Sequence, residues 1–207
     1  MSMAQDERRA LVVAMTAAGP DAPTLCGAWT VRDLAAHLVV RERRPDAAPG
    51  IMIKSFAGYL DSVQAKAAQR SFEELLEQVR TGPPWWSPLR PVDAVANLSE
   101  MFVHHEDVRR AEPGWEPREL TAAEEATLWK TLRRMAKMAY RKAPVTVVLA
   151  TPDGERVTAH SVEGPEVVLT GPPSELLLHA FGRKEVRLTA TGADDDVRAV
   201  HDCDRSI

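Results

Sequence analysis

The chain has 207 residues, 44 % of them hydrophobic and 27 % charged, with a net charge of −4. That is the make-up of a soluble globular protein long enough to bury a core without disulfides, and its acidic balance removes any electrostatic case for nucleic acid or an anionic membrane as partner. No run approaches the ~18 apolar residues of a membrane span, and Met1 to Arg9 lacks the basic-then-apolar layout of a secretory signal, so a cytoplasmic protein is expected.

The spacing of Ala10, Leu11, Val13, Ala14 and Ala17 predicts an amphipathic helix over 4–18, ended by Gly19, Pro20 and Pro23. Thr30 is an N-cap for a second helix, with Asp33 at N3 and a stripe of Val31, Leu34, Ala35, Leu38 and Val39. Pro45, Pro49 and Gly50 break it. A helical pattern covers 51–68, and Ser71 caps a further segment from Phe72 to Arg80 with Glu74 at N3. Thr81 to Pro91 is a proline-rich loop around Trp85 and Trp86. Residues 92–110 form another helix, closed by Pro113, Gly114 and Pro117. Thr121, with Glu124 at N3, caps a last long helix that ends near Lys142.

The composition changes after Pro144. Val145 to Ala150 reads as a strand, Pro152-Asp153-Gly154 as a turn and Glu155 to Ser161 as the partner strand. Glu166 to Thr170 is a third strand, Ser174 caps a short helix, and Val186 to Thr191 is a fourth strand. Residues 193–207 read as a loose acidic tail. The plan is mainly α: a helical bundle over 1–142, then a small α+β domain over 143–207.

Glu100 and His104 stand one turn apart on one helix face, so a carboxylate oxygen and an imidazole nitrogen can converge on one point. His37 lies on another helix, within an apolar stripe, where an unpartnered imidazole costs ~1–3 kcal/mol. A metal shared by His37, Glu100 and His104 satisfies all three. Two imidazoles and a carboxylate suit Zn²⁺, Ni²⁺, Fe²⁺ or Mn²⁺, and three protein ligands leave positions open for water or substrate. The spacing alone is equally that of a surface ion pair. Cys26 and Cys203, far apart in sequence, read as inert or surface thiols.

The flanks add to this. Residues 26–38, Cys-Gly-Ala-Trp-Thr-Val-Arg-Asp-Leu-Ala-Ala-His-Leu, resemble the signature of the DinB-like superfamily and, more closely, the N-terminal domain of mycothiol-dependent maleylpyruvate isomerases, including shorter actinobacterial relatives. The stretch Asn97 to Val108 is similar to the family's second signature, which carries a Glu and a His four residues later. Gly171 to Leu178 with Phe181-Gly182-Arg183 resembles the sterol-carrier-like C-terminal domain of the same isomerases. The resemblance implies an up-down four-helix bundle, a divalent metal (Zn²⁺ first, Ni²⁺ or Fe²⁺ as alternatives) on His37, Glu100 and His104, and mycothiol or another small thiol as cofactor. No substrate-binding residue matches, so the maleylpyruvate reaction is not carried over.

Several residues are assigned around this centre. Arg41 meets a substrate carboxylate or an ion-pair partner. Asp107 orients a ligand histidine or forms a bundle salt bridge. His105, ~100° around the helix from His104, is a structural histidine. Trp85 and Trp86 wall a pocket or anchor their loop, and Trp29 packs at the helix entry. His160, His179 and His201 are not ligands. The leading function is a metal- and thiol-dependent transferase or isomerase acting on an electrophilic small molecule. The competing readings are a metal-stabilised scaffold that dimerises without turnover, and a metal-dependent hydrolase or non-haem iron enzyme.

Overall fold

The computed structural model describes residues 2–47, 54–87 and 97–205. They fall into two compact units, Met1–Trp115 and Glu116–Ile207. The expected helix 92–110 and the start of 51–68 lie partly outside the described residues.

The first unit contains α1 (Met3–Ala18), α2 (Val31–Arg43), α3 (Lys54–Ala68), α4 (Phe72–Thr81) and α5 (Leu98–Arg109). Local chemistry starts three of these helices. Ser2 and Gln5 form a capping box on α1, as do Thr30 and Asp33 on α2, while the Ser71 hydroxyl takes the Glu74 N–H on α4. Each cap satisfies N–H groups that the helix leaves without a partner. Helix α1 packs on α5 and α4, and α2 packs on α3 and α4. Leu11, Met15, Leu34, Leu38, Leu75, Val79 and Met101 form the core between them.

The buried face of α1 is not the one its apolar spacing suggests. Val13 is exposed, whereas Glu7 and Arg8 are buried beside Ala4, Leu11 and Met15. Both charges have partners across the bundle. Arg8 forks onto Glu42 (2.5 and 3.1 Å) and donates to the Val79 carbonyl (2.9 Å), and Glu7 meets His105 Nδ1 at 2.9 Å.

The second unit holds α6 (Ala122–Ala139), β1 (Thr146–Ala150), β2 (Arg156–His160), β3 (Glu166–Thr170), α7 (Pro173–Ala180), β4 (Thr189–Thr191) and α8 (Asp194–Asp202). The sheet order is β2-β1-β3-β4, with β1 and β3 parallel and the outer pairs antiparallel. The Thr146 hydroxyl exchanges bonds with the Val162 backbone (2.7 and 3.0 Å), which holds the chain as it crosses from β2 to β3.

Four expectations change here. Helix α6 groups with the sheet and not with the bundle, so the division expected after residue 142 falls at Trp115/Glu116. Its apolar face of Leu128, Trp129, Leu132 and Ala136 is spent on β2 and α7. Ser174 is not the cap of α7. The helix begins at Pro173, and the Ser174 N–H and hydroxyl bind the Glu125 carboxylate at 2.9 and 2.7 Å. The tail beyond 193 is a helix whose first turn carries Asp194, Asp195 and Asp196, charges that complement the positive end of the helix dipole, while Val200 is fully buried. The fourth strand is confined to Thr189–Thr191.

Candidate metal centre

The loop between α1 and α2 is pinned at both ends. Pro23 and Thr30 form a bridge, the Thr24 hydroxyl donates to the Trp29 carbonyl (2.8 Å) and accepts the Cys26 N–H (3.2 Å), and the Leu25 N–H reaches the Asp107 carbonyl on α5 (3.1 Å). Gly27 makes the reversal with φ +66°, a conformation that costs other L-residues roughly 1–2 kcal/mol. This loop sets the entry of α2 and brings the Cys26 thiol against α5.

Two turns into α2, His37 points at α5, with its ring 5.0 Å from that of Trp29 and 5.6 Å from that of His104. His37 Nε2 lies 3.4 Å from Glu100 Oε1, and His104 Nε2 lies 3.2 Å from the same oxygen. The three side chains are partly open, at 20 % exposure for His37, 19 % for Glu100 and 11 % for His104. The expected triad thus converges on one point, and its ligand atoms all lie within 4.8 Å of one another.

Asp107, one turn beyond His104 and fully buried, receives His104 Nδ1 at 2.8 Å and the Cys26 thiol at 3.0 Å on the same Oδ2. It therefore orients the histidine. Cys26 Sγ is also 3.6 Å from His104 Nδ1, so Cys26 is not an inert surface thiol. Cys26, His104 Nδ1 and Asp107 form a second three-donor group on the opposite edge of the same imidazole. Reading the sequence missed this cysteine, because the contact spans 78 residues and no spacing announces it.

Arg41, one turn beyond His37, pairs with Glu100 Oε1 through Nε at 3.4 Å and donates to the Asn97 Oδ1. Asn97 Nδ2 in turn donates to Glu42 (3.3 Å). Asn97 stands at the N-cap of α5 but makes no side-chain cap bond there, because its amide is committed to this network. His105 is the structural histidine expected, buried against Glu7. Trp85 is 86 % exposed and does not anchor its loop on the bundle, while Trp86 is 48 % exposed. Trp29 packs at the helix entry against the core. In the second unit His179 bonds Tyr140 through Nδ1 and His201 through Nε2.

The electrostatics favour positive charge between the two helices. Burial opposes the charge on Glu100, but hydrogen bonds from His104 and His37 and the charges of His104 and Arg41 outweigh it and hold the carboxylate well below its usual range. Burial likewise opposes a charge on His104, yet its bonds to Asp107, Cys26 and Glu100 push it well above an ordinary imidazole. In a neutral imidazole that donates its Nδ1–H to Asp107, the Nε2 lone pair faces a carboxylate oxygen 3.2 Å away. Two acceptors at that distance need a proton or a metal cation between them.

Two of the donor separations suit a metal. Ligands ~2.0–2.1 Å from a tetrahedral Zn²⁺ stand ~3.3 Å apart, and the two nitrogen–oxygen separations are 3.4 and 3.2 Å. Open positions beside three protein donors are the mark of a reactive site and not of a closed structural one.

The family model of the mycothiol maleylpyruvate isomerase N-terminal domain matches residues 2–109, just over half of the 207-residue chain and all of the helices that build this centre. No curated protein and no solved structure matches the chain. Among the described residues no helix is long and apolar enough to cross a membrane. The matched span begins ahead of α1 and ends with α5, and the chain belongs to the mycothiol maleylpyruvate isomerase N-terminal domain family.

Proposed function

We propose that the first unit binds one divalent cation through His37, Glu100 and His104, Zn²⁺ before Ni²⁺ or Fe²⁺, and uses it as a thiol-dependent transferase or isomerase on an electrophilic small molecule. The observation that carries this reading is the approach of two imidazole Nε2 atoms to one carboxylate oxygen, with Asp107 holding the far side of His104. The thiol, mycothiol or a relative of it, is supported by the family to which the chain belongs.

When bound, such a cation supplies Lewis acidity to a thiol or carbonyl group in the open positions. The chain's own groups do the rest. Asp107 keeps the proton on His104 Nδ1 and so leaves Nε2 as a donor to the metal. Arg41, held by Asn97, sets a fixed positive charge beside Glu100 and offers a guanidinium to a substrate carboxylate. The Trp29 ring covers one side of His37 and limits water there.

Elemental analysis of the purified protein tests the reading. Near-stoichiometric metal is expected in the wild type, lost in His37→Ala, Glu100→Ala and His104→Ala and kept in His105→Ala and His201→Ala. Full occupancy in the first three variants overturns the ligand set. No metal after reconstitution with divalent ions overturns the metal reading altogether.

A further inference from the structure

The bundle carries a second concavity of about 540 Å³ where α2, α3 and α4 meet. It lies away from the metal cluster. At ~100° per residue, Val39 and Arg43 stand on roughly the opposite side of α2 from His37 and Arg41. The floor is apolar, made by Val39, Val40, Val63 and Ala67, all buried. The walls carry four cationic side chains, Arg43, Arg44, Lys66 and Arg70, and no carboxylate.

Among the described residues two of these charges form an ion pair with a carboxylate. Arg44 is clamped by Asp46 at 2.7 Å, and Arg70 has Glu74 at 3.8 Å. Arg43 spends its Nη2 on the Gln78 and Gly82 carbonyls and the Thr81 hydroxyl (3.0–3.3 Å), and its buried Nε has no acceptor among the described residues. Glu42, next to it in the chain, is engaged by Arg8. Lys66 is exposed and makes no ion pair among the described residues. Burial, against the adjoining Glu42 charge and helped by the charges of Arg70 and Arg8, depresses the Arg43 guanidinium below its ordinary value.

We propose that this concavity binds a small molecule bearing a phosphate group, with Arg43 and Lys66 answering the anion and the Val39–Val63 floor taking the molecule's apolar part. A phosphate monoester carries about −1.5 to −2 charge at neutral pH, which Arg43 and Lys66 are placed to answer. A planar guanidinium matches its oxygens in geometry as well as in charge. The volume lies in the ~300–1,000 Å³ range of small-molecule sites.

Phenyl phosphate, a dianion with an apolar body, is the probe. It is titrated by calorimetry into the full-length protein in about 0.15 M salt, where attraction to exposed charges is screened beyond ~8 Å. Saturable one-site binding is expected, tighter than that of inorganic phosphate, because only the aromatic body reaches the floor. Lys66→Ala should weaken it about tenfold, the worth of one charge-assisted contact, and Arg43→Gln by at least as much. His104→Ala should leave it unchanged. Arg43 also braces the end of α4, so Arg43→Gln can fail to fold. Lys66→Ala cannot fail for that reason, since the side chain is exposed and has no ion-pair partner among the described residues. No saturable binding, or equal binding by wild type and Lys66→Ala, overturns the proposal.

Discussion

Replacing Asp107 by Asn tests how the metal centre is organised. The carboxylate is fully buried and accepts from His104 Nδ1 at 2.8 Å and from the Cys26 thiol at 3.0 Å, both on one oxygen. Asparagine keeps the shape and removes the charge. It also lets an amide N–H face Nδ1, which would move the imidazole proton to Nε2 and block that nitrogen as a donor. Losing a partner of this kind behind a metal-ligating histidine weakens metal binding ~10–100-fold, or about 1.4–2.7 kcal/mol. The assay is competition for Zn²⁺ against a chromophoric chelator at neutral pH, with urea unfolding to show that the variant is folded. A folded Asp107→Asn variant with wild-type Zn²⁺ affinity would refute the reasoning. Cys26→Ala separates the two donor groups that share His104. If the cation sits on the Nε2 side, Cys26→Ala costs little and His37→Ala abolishes binding. The reverse pattern places it with Cys26 and Asp107.

Two further predictions concern stability. Glu42→Gln leaves the Arg8 guanidinium, 5 % exposed, without its carboxylate, and should destabilise the protein by ~3–5 kcal/mol; urea unfolding checks this, and a change below about 1 kcal/mol contradicts it. In the second unit, burial and then the charges of Arg205 and His201 hold His179 well below the ordinary imidazole value of about 6.5, and burial and then Arg205 lower His201 too. Below about pH 6.5 the unfolded chain takes up protons that the folded unit refuses. Stability there rises with pH, is complete above the unfolded pKa, and falls in acid by up to ~1.4 kcal/mol per pH unit for each histidine that stays neutral. Hydrogen exchange in α7 and α8, corrected for intrinsic rates, should show weaker protection at pH 5.5 than at 7.5, and equal protection at both would exclude the effect.

What could be read along the chain was whatever depends on neighbours in sequence. The caps at Thr30, Ser71 and Thr121 start their helices where those residues stand, because a cap bond spans only three residues. The alternation and turn signal of 145–161 produce the hairpin for the same reason. Glu100, His104 and Asp107 share a face by helical geometry alone. Tertiary structure decided the rest. The acidic 194–202 segment looks disordered by composition and becomes a helix once Val200 is buried. Helix α6 has an apolar face that could serve a bundle or a sheet, and packing assigned it to the sheet. Cys26 reaches His104 and Asp107, and Glu7 reaches His105, across 78 to 98 residues. Such contacts depend on how helices rotate and dock. Periodicity fixes which residues share a helix face but not which face of a neighbouring helix they will meet.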